Sequence, residues 1–376
     1  MKIIRKNNRK IISILTLASV LFLSLLLTSC EGDADSFVLN EDVISDLENG
    51  ILNGQLSENY TLDSNITYQL TSSFVVSTGA ELTIPEGTNI IAKKGGSNIF
   101  IAVLQGGKIF VNGTAEKPVT ISTEDGEPGG WSGITIFGGA PSLGIQSASD
   151  VFYGGDREDD NSGSINYLKI TGAGNFLSSN QKTNGLALYG VGSGTEINNV
   201  ALINSAEDAI DIYGGTVSIN NLFIENSGGH SINWNEGWNG TITNTYILDK
   251  GTITSVLGAN FNQEDKENPV DFDFPTFNNL TVAVSEDFKA NLSGDNTLFK
   301  LHTETGVFVT RLNVTENIYD VDVNMLDGGD VTNLSINGSA PDVTLLNIID
   351  GGPITYLLNS GKDSNAVDLS IFDWRN

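Results

Sequence analysis

Ile197-Asn198-Asn199-Val200-Ala201-Leu202-Ile203-Asn204 is echoed by Ile219-Asn220-Asn221-Leu222-Phe223-Ile224-Glu225-Asn226, and again by Ile242-Thr243-Asn244-Thr245-Tyr246-Ile247-Leu248-Asp249. Asn199 and Asn221 are 22 residues apart, and Asn221 and Asn244 are 23 apart. A second β run keeps step, with Ile210-Asp211-Ile212 and Ile232-Asn233-Trp234 again 22 apart. A repeat of this length holds one coil of a solenoid, about three strands of four or five residues plus turns, stacked at roughly 4.8 Å. The strands of a β-sandwich do not recur with one fixed phase. The chain is therefore read as all-β, a right-handed parallel β-helix with a short N-terminal capping element.

Alternation within each strand sends Val200 and Leu202, Leu222 and Ile224, and Ile210 and Ile212 inward, stacked coil on coil. Asn199, Asn221 and Asn244 fall at one turn, where their amides can form a ladder. An earlier copy, Ile165-Asn166-Tyr167-Leu168-Lys169-Ile170, precedes the first by 32 residues, leaving room for an insertion around Phe176–Lys182. Later copies begin at Phe277 and Val331. Before the solenoid, Asn40 caps a short helix through Leu47 with Val43, Ile44 and Leu47 on one face. Such a helix covers the open end of the stack, because exposed coil ends invite aggregation. The division expected is 1–29 signal peptide, 30–36 lipidated cysteine and acidic tether, 37–59 cap, and 60–376 β-helix.

The signal rests on Cys30, the single cysteine. Lys2, Arg5, Lys6, Arg9 and Lys10 form a basic start, Ile11 to Leu27 an apolar run, and Leu27-Thr28-Ser29-Cys30 ends it in a bacterial lipoprotein pattern. Cleavage before Cys30 would leave its thiol to carry diacylglycerol and its amine to take a further acyl chain such as palmitate. Two or three acyl chains anchor stably where one does not. The expected location is the bacterial outer membrane, lipid-anchored and exposed at the cell surface. A plain secretory signal or a membrane-anchor helix is the other reading.

Charge narrows the partners. The chain carries 46 acidic against 19 basic residues, a formal net charge of −27. Loss of residues 1–29 removes five basic and no acidic residues, bringing the charge to about −32. That surface repels nucleic acids and polyuronates and favours divalent cations or a basic partner. Acidity also serves solubility alone. With Cys30 lipidated no disulfide can form, so stability must come from burial.

Further stretches resemble a family. Gly106-Gly107-Lys108-Ile109-Phe110-Val111-Asn112-Gly113-Thr114-Ala115-Glu116-Lys117-Pro118-Val119-Thr120-Ile121 and Gly129-Gly130-Trp131-Ser132-Gly133-Ile134 are similar to the first coils of right-handed β-helix surface lipoproteins of Bacteroidetes-type bacteria. Asp159-Asp160-Asn161-Ser162-Gly163, Tyr189-Gly190-Val191-Gly192-Ser193-Gly194-Thr195 and Trp374 continue the likeness. The resemblance implies the fold and a cell-envelope setting, with no settled activity. A multidrug-transport role, attached to some of that family, is excluded because one lipid-anchored solenoid forms no pore.

Three groups of residues could carry chemistry. Glu207-Asp208-Ala209-Ile210-Asp211, followed one coil later by Gly229-His230-Ser231-Ile232, resembles the carboxylates and Gly-His motif of polygalacturonases. Inverting hydrolysis needs an acid and a base about 6.5–9.5 Å apart, which stacked coils can supply. On that likeness Asp208 is the acid, Asp211 or Glu207 the base, and His230 a helper. Thr183-Asn184-Gly185 stands where that family has an aspartate, and no Arg-x-Lys follows at Lys250-Gly251-Thr252. In the second group, Asp156, Glu158, Asp159 and Asp160 cluster hard oxygen ligands of the kind Ca²⁺ takes, against the alternative of a solvated acidic turn. Third, Trp238 is the candidate for stacking on a glycan from a surface turn, with Trp131 beside it, whereas Trp234 aligns with inward Ile212 and belongs to the core.

The leading expectation is a lipid-anchored envelope protein that binds or adheres without catalysis. Its partner is a glycan, another cell surface or an outer-membrane protein. The rival is a glycan hydrolase using Asp208, Asp211 and His230.

Overall fold

The computed structural model describes residues 40–142, 151–178, 181–253, 255–260, 275–289 and 366–376, with strand segments at 296–301, 306–309, 312–314, 319–323, 346–348 and 355–358. Cys30 and the repeat copy at Val331 lie outside the described residues.

Every strand pairing in the main sheet is parallel, and the partners are the same positions one coil later. On the first face Ile165, Ile197, Ile219, Ile242 and Phe277 follow one another in register. The second face stacks Ile170, Leu202, Ile224, Ile247 and Val282. On the third stand Ile134, Leu186, Ile210, Ile232 and Leu257. All of these side chains are buried in one continuous core. Each contributes roughly 1.5–3 kcal/mol by leaving water, which is what a chain without disulfides must rely on. The fold expected from the 22-residue recurrence is the fold observed.

The first and second faces meet at a corner that needs a left-handed residue. Asn199, Asn221, Asn244 and Asn279 occupy it, with φ of 55°, 60°, 56° and 70°. Asparagine tolerates this region better than other residues with a Cβ. The amides also pay the corner back by bonding along the axis. Asn199 Nδ2 donates to Asn166 Oδ1 at 2.8 Å, Asn221 to Asn199 at 2.9 Å, Asn244 to Asn221 at 3.0 Å, and Asn279 to Asn244 at 2.9 Å. The ladder read from three residues is thus longer at both ends.

Two boundaries differ from expectation. The helix Asn40–Glu48 buries Val43 and Leu47 against the first coil, as a cap should. That coil, however, starts at Ile51 and not at residue 60, because strand Ile51–Leu56 pairs in parallel with Thr67–Val76. Gly54, at φ 87°, bends this strand between two faces and hides its alternation from a sequence reading. The insertion around Phe176–Lys182 forms an antiparallel pair, Asn175–Ser178 with Gln181–Thr183, standing off the solenoid.

The tryptophans correct another expectation. Trp238 is 1 % exposed, and its indole N–H donates to Val217 O at 3.0 Å. Trp131 is fully buried and donates to Thr171 O at 3.1 Å. Both indoles fill the ends of the interior and close a corner carbonyl, so neither offers a stacking surface. Trp234 is core, as expected.

The C-terminal segment returns along the outside. Lys169, Ala201, Phe223, Tyr246 and Thr281 form one outward row across five successive coils of the second face. Over it lies the 3-10 helix Leu369–Arg375, burying Phe372 and Trp374 against Ala201 and Phe223. Val367 N donates to Thr281 Oγ1 at 2.8 Å, and Lys169 Nζ to Arg375 O at 2.8 Å. The tail therefore straps the middle coils together. Trp374→Ala should cost about 3 kcal/mol, as large-to-small changes at buried aromatics do, and should expose the amides of 366–376 to hydrogen exchange. Unchanged exchange and melting would show that the strap contributes nothing.

Candidate functional site

Register on the third face builds the site. Strands Leu186–Tyr189, Ile210–Tyr213, His230–Asn235 and Ser255–Asn260 run side by side. Outward from them, Ala187, Asp211, Asn233 and Gly258 make one row, and Tyr189, Tyr213, Asn235 and Asn260 the next. Asp211 thus sits one coil before an asparagine and beside a tyrosine ladder. Tyr189 and Tyr213 stack at 4.2 Å with planes 3° apart. Phe137 continues the stack at 5.1 Å, and Tyr153 meets Tyr189 edge-on at 5.1 Å.

Asp211 is 3 % exposed and enclosed by donors. Its Oδ1 accepts from Asn233 Nδ2 at 3.1 Å and Asn235 Nδ2 at 2.9 Å, and its Oδ2 from Asn184 Nδ2 at 3.1 Å. The Tyr213 hydroxyl donates as well. Four donors match the roughly four lone-pair positions of a carboxylate. Burial pushes this carboxyl up to about 6, while the hydroxyl and amide donors pull the other way.

Asp208 differs. It is half-buried in the turn before Ile210, where its Oδ1 accepts the His230 backbone N–H at 2.6 Å. Gly229 makes this approach possible, since a Cβ there would lie 2.1 Å from Asp208 Oδ1. The Gly-His pair is therefore a backbone clasp on a carboxyl group. The His230 ring is turned away, with Nδ1 2.6 Å from Ser255 Oγ. Burial, and then the charge of Asp211, hold the Asp208 carboxyl well above the usual carboxylate range, against the pull of the His230 N–H.

The other expected residues fall into place around this pair. Glu207 is buried and ion-paired with Lys182 at 2.6 Å. Glu236, missed in the sequence reading, holds an incoming loop. It takes a left-handed φ of 55°, and its carboxylate accepts from Ser142 Oγ at 2.5 Å and from the Tyr153 hydroxyl at 3.2 Å. Asp208, Asp211 and His230 do come together, as the polygalacturonase likeness implies. Their roles change: the expected base has its lone pairs occupied, and the histidine acts on Asp208 through its backbone.

The acidic loop is corrected. Asp156, Glu158 and Asp159 are exposed, whereas Asp160 turns inward to Arg157 at 2.6 Å and accepts from Ser162 Oγ at 3.3 Å. Glu158 contributes its backbone carbonyl, which accepts from Ser193 N at 2.9 Å and from Thr216 Oγ1. Among the described residues no three acidic, histidine or cysteine side chains gather in a cation-binding arrangement. The segment is a bracket tying an insertion to two coil turns, and the calcium reading of it does not hold.

The two raised carboxyls make stability fall with pH. Each binds its proton more tightly folded than unfolded, so the folded state holds more protons between about pH 4 and the folded-state midpoints. This contribution is full in acid and is lost as pH rises through about 6, where Asp211 titrates. Asp208→Asn removes one titrating group. Its melting temperature relative to the unsubstituted protein should climb as pH goes from 4 to 7. Parallel melting curves across that range would place Asp208 among ordinary surface carboxylates.

Among the described residues no helix is long and apolar enough to cross a membrane. No curated protein and no solved structure matches the chain. The pectate-lyase-like β-helix domain family matches residues 54–349, most of the chain and all of the site just described, and the protein belongs to that family.

Proposed function

We propose that the protein is a lipid-anchored envelope protein, held by Cys30 at the outer membrane, that binds a glycan on its third face without cleaving it. The observation that carries this reading is the saturation of Asp211. A general base must offer a lone pair to water or to a substrate proton. Asp211 offers its oxygens to Asn184, Asn233, Asn235 and Tyr213 instead. Glu207, the substitute base, is engaged by Lys182. What is left facing outward is a half-exposed carboxyl beside partly exposed tyrosine edges, a pairing suited to hydroxyl-rich ligands. Membership of a β-helix family supports a glycan-related role, although fold alone assigns no activity.

A second reading has one observation in its favour. The raised Asp208 carboxyl is the form a glycosidase uses as its acid. Hydrolysis would then need Asp211 to give up a donor when substrate arrives.

One preparation tests both. The purified protein, screened against a glycan panel, should retain ligands and release no shortened products. Steady product formation that Asp208→Asn abolishes would establish the hydrolase. In cells, Cys30→Ser should leave the membrane fraction or accumulate uncleaved; membrane retention after signal removal would refute the anchor.

A further inference from the structure

The third-face site is acidic where its family's name points to an acidic polysaccharide. Asp208, Asp211, Glu207 and Glu236 all face or flank it, and Lys182 is their one described basic partner, spent on Glu207. His230 and Tyr213 complete the ionisable groups around Asp208. Two acceptors there lack a donor. Asp208 uses Oδ1 for the His230 N–H, and its half-exposed carboxyl has no other protein partner. Asn233 is 4 % exposed, commits Nδ2 to Asp211, and leaves Oδ1 buried without any partner. An orphaned buried acceptor is costly, roughly 1–3 kcal/mol, and native structures rarely keep one without a use. Both acceptors lie around His230, since a Cβ on Gly258 would touch the His230 ring at 2.7 Å and Asn233 Oδ1 at 2.9 Å.

We infer that the site recognises the protonated amine of an amino sugar, a glycan unit carrying a free ammonium group, seated against Asp208 and Asn233. The inference rests on the glycan-binding reading and names the ligand class for the same site. An ammonium group brings three donors and no acceptor, which matches acceptors that lack donors. Its charge also answers the mutual repulsion of the two carboxyls. When it binds, Asp208 gives up its proton to solvent, and the pair becomes ammonium with carboxylate. A uronate would instead bring a second negative charge, and an N-acetylated sugar would bring a bulkier group without the charge.

Calorimetric titration of the full protein in detergent at pH 6 tests this with four short oligosaccharides: glucosamine, N-acetylglucosamine, glucose and galacturonate oligomers. The glucosamine oligomer should bind about tenfold or more tighter than its N-acetylated form, the worth of one charged hydrogen bond. Repeating the titration in buffers of different ionisation enthalpy should reveal proton release on binding. Asp208→Asn, with its melting temperature checked, should abolish both the amine preference and the proton release. If the variant keeps the preference, the attraction is diffuse surface charge and the inference is wrong. Equal binding of glucosamine, N-acetylglucosamine and glucose oligomers would overturn amine recognition while leaving glycan binding intact. No binding of any oligomer would sink both.

Discussion

Coil-to-coil register is the constraint on which everything else in this protein depends. Parallel strands stacked at one spacing place each residue beside its counterpart about 22 positions on, and a slip of one residue would turn every buried side chain to solvent. The aliphatic rows pin that register from inside. The asparagine ladder from Asn166 to Asn279 pins it at a corner, by hydrogen bonds that close only when the left-handed residues coincide. Outside, the C-terminal strap crosses the same five coils against the row from Lys169 to Thr281. Three independent devices thus hold the middle of the solenoid.

The same register that builds the core builds the site. Asp211 meets Asn233 because the repeat length is 22, and Tyr189 meets Tyr213 for the same reason on the next outward row. Burying a carboxylate is costly unless donors replace its water. Here three amides and a phenol do so, and the negative field they stabilise is what keeps the neighbouring Asp208 protonated. The arrangement divides the labour: one carboxyl is structural and charged by its donors, and the other is left half-open toward solvent. A site of this kind binds more readily than it catalyses, because the group that would take a proton has no free face.

Much of this was legible in the sequence. The repeat at Asn199, Asn221 and Asn244 dictated the solenoid, and the alternation around Ile210 and Leu222 dictated which side chains stack inside. The meeting of Asp208, Asp211 and His230 followed from one coil of spacing. What failed did so for local reasons. Gly54 interrupts the alternation of the first strand, so the coil at Ile51 read as part of the cap. Trp238 and Trp131 sit in turns, but their indoles fold back to a corner carbonyl, a choice set by rotamer and not by position. The acidity of 156–160 read as a cation loop, whereas Asp160 is consumed by Arg157 and Glu158 works through its backbone. Asn184 and Glu236 reach the site from a distant turn and through a long insertion. Pairwise spacing carries no signal for such contacts.

The division between the two carboxyls can be observed directly. Selective ¹³C labelling of aspartate side chains, with Asp208→Asn to assign the resonances, would follow both groups by NMR from pH 3 to 9. The account predicts that Asp211 titrates at about 6 and that Asp208 keeps its proton well above the ordinary aspartate midpoint. Two carboxyls that both ionise near 4, with no mutual dependence, would contradict it.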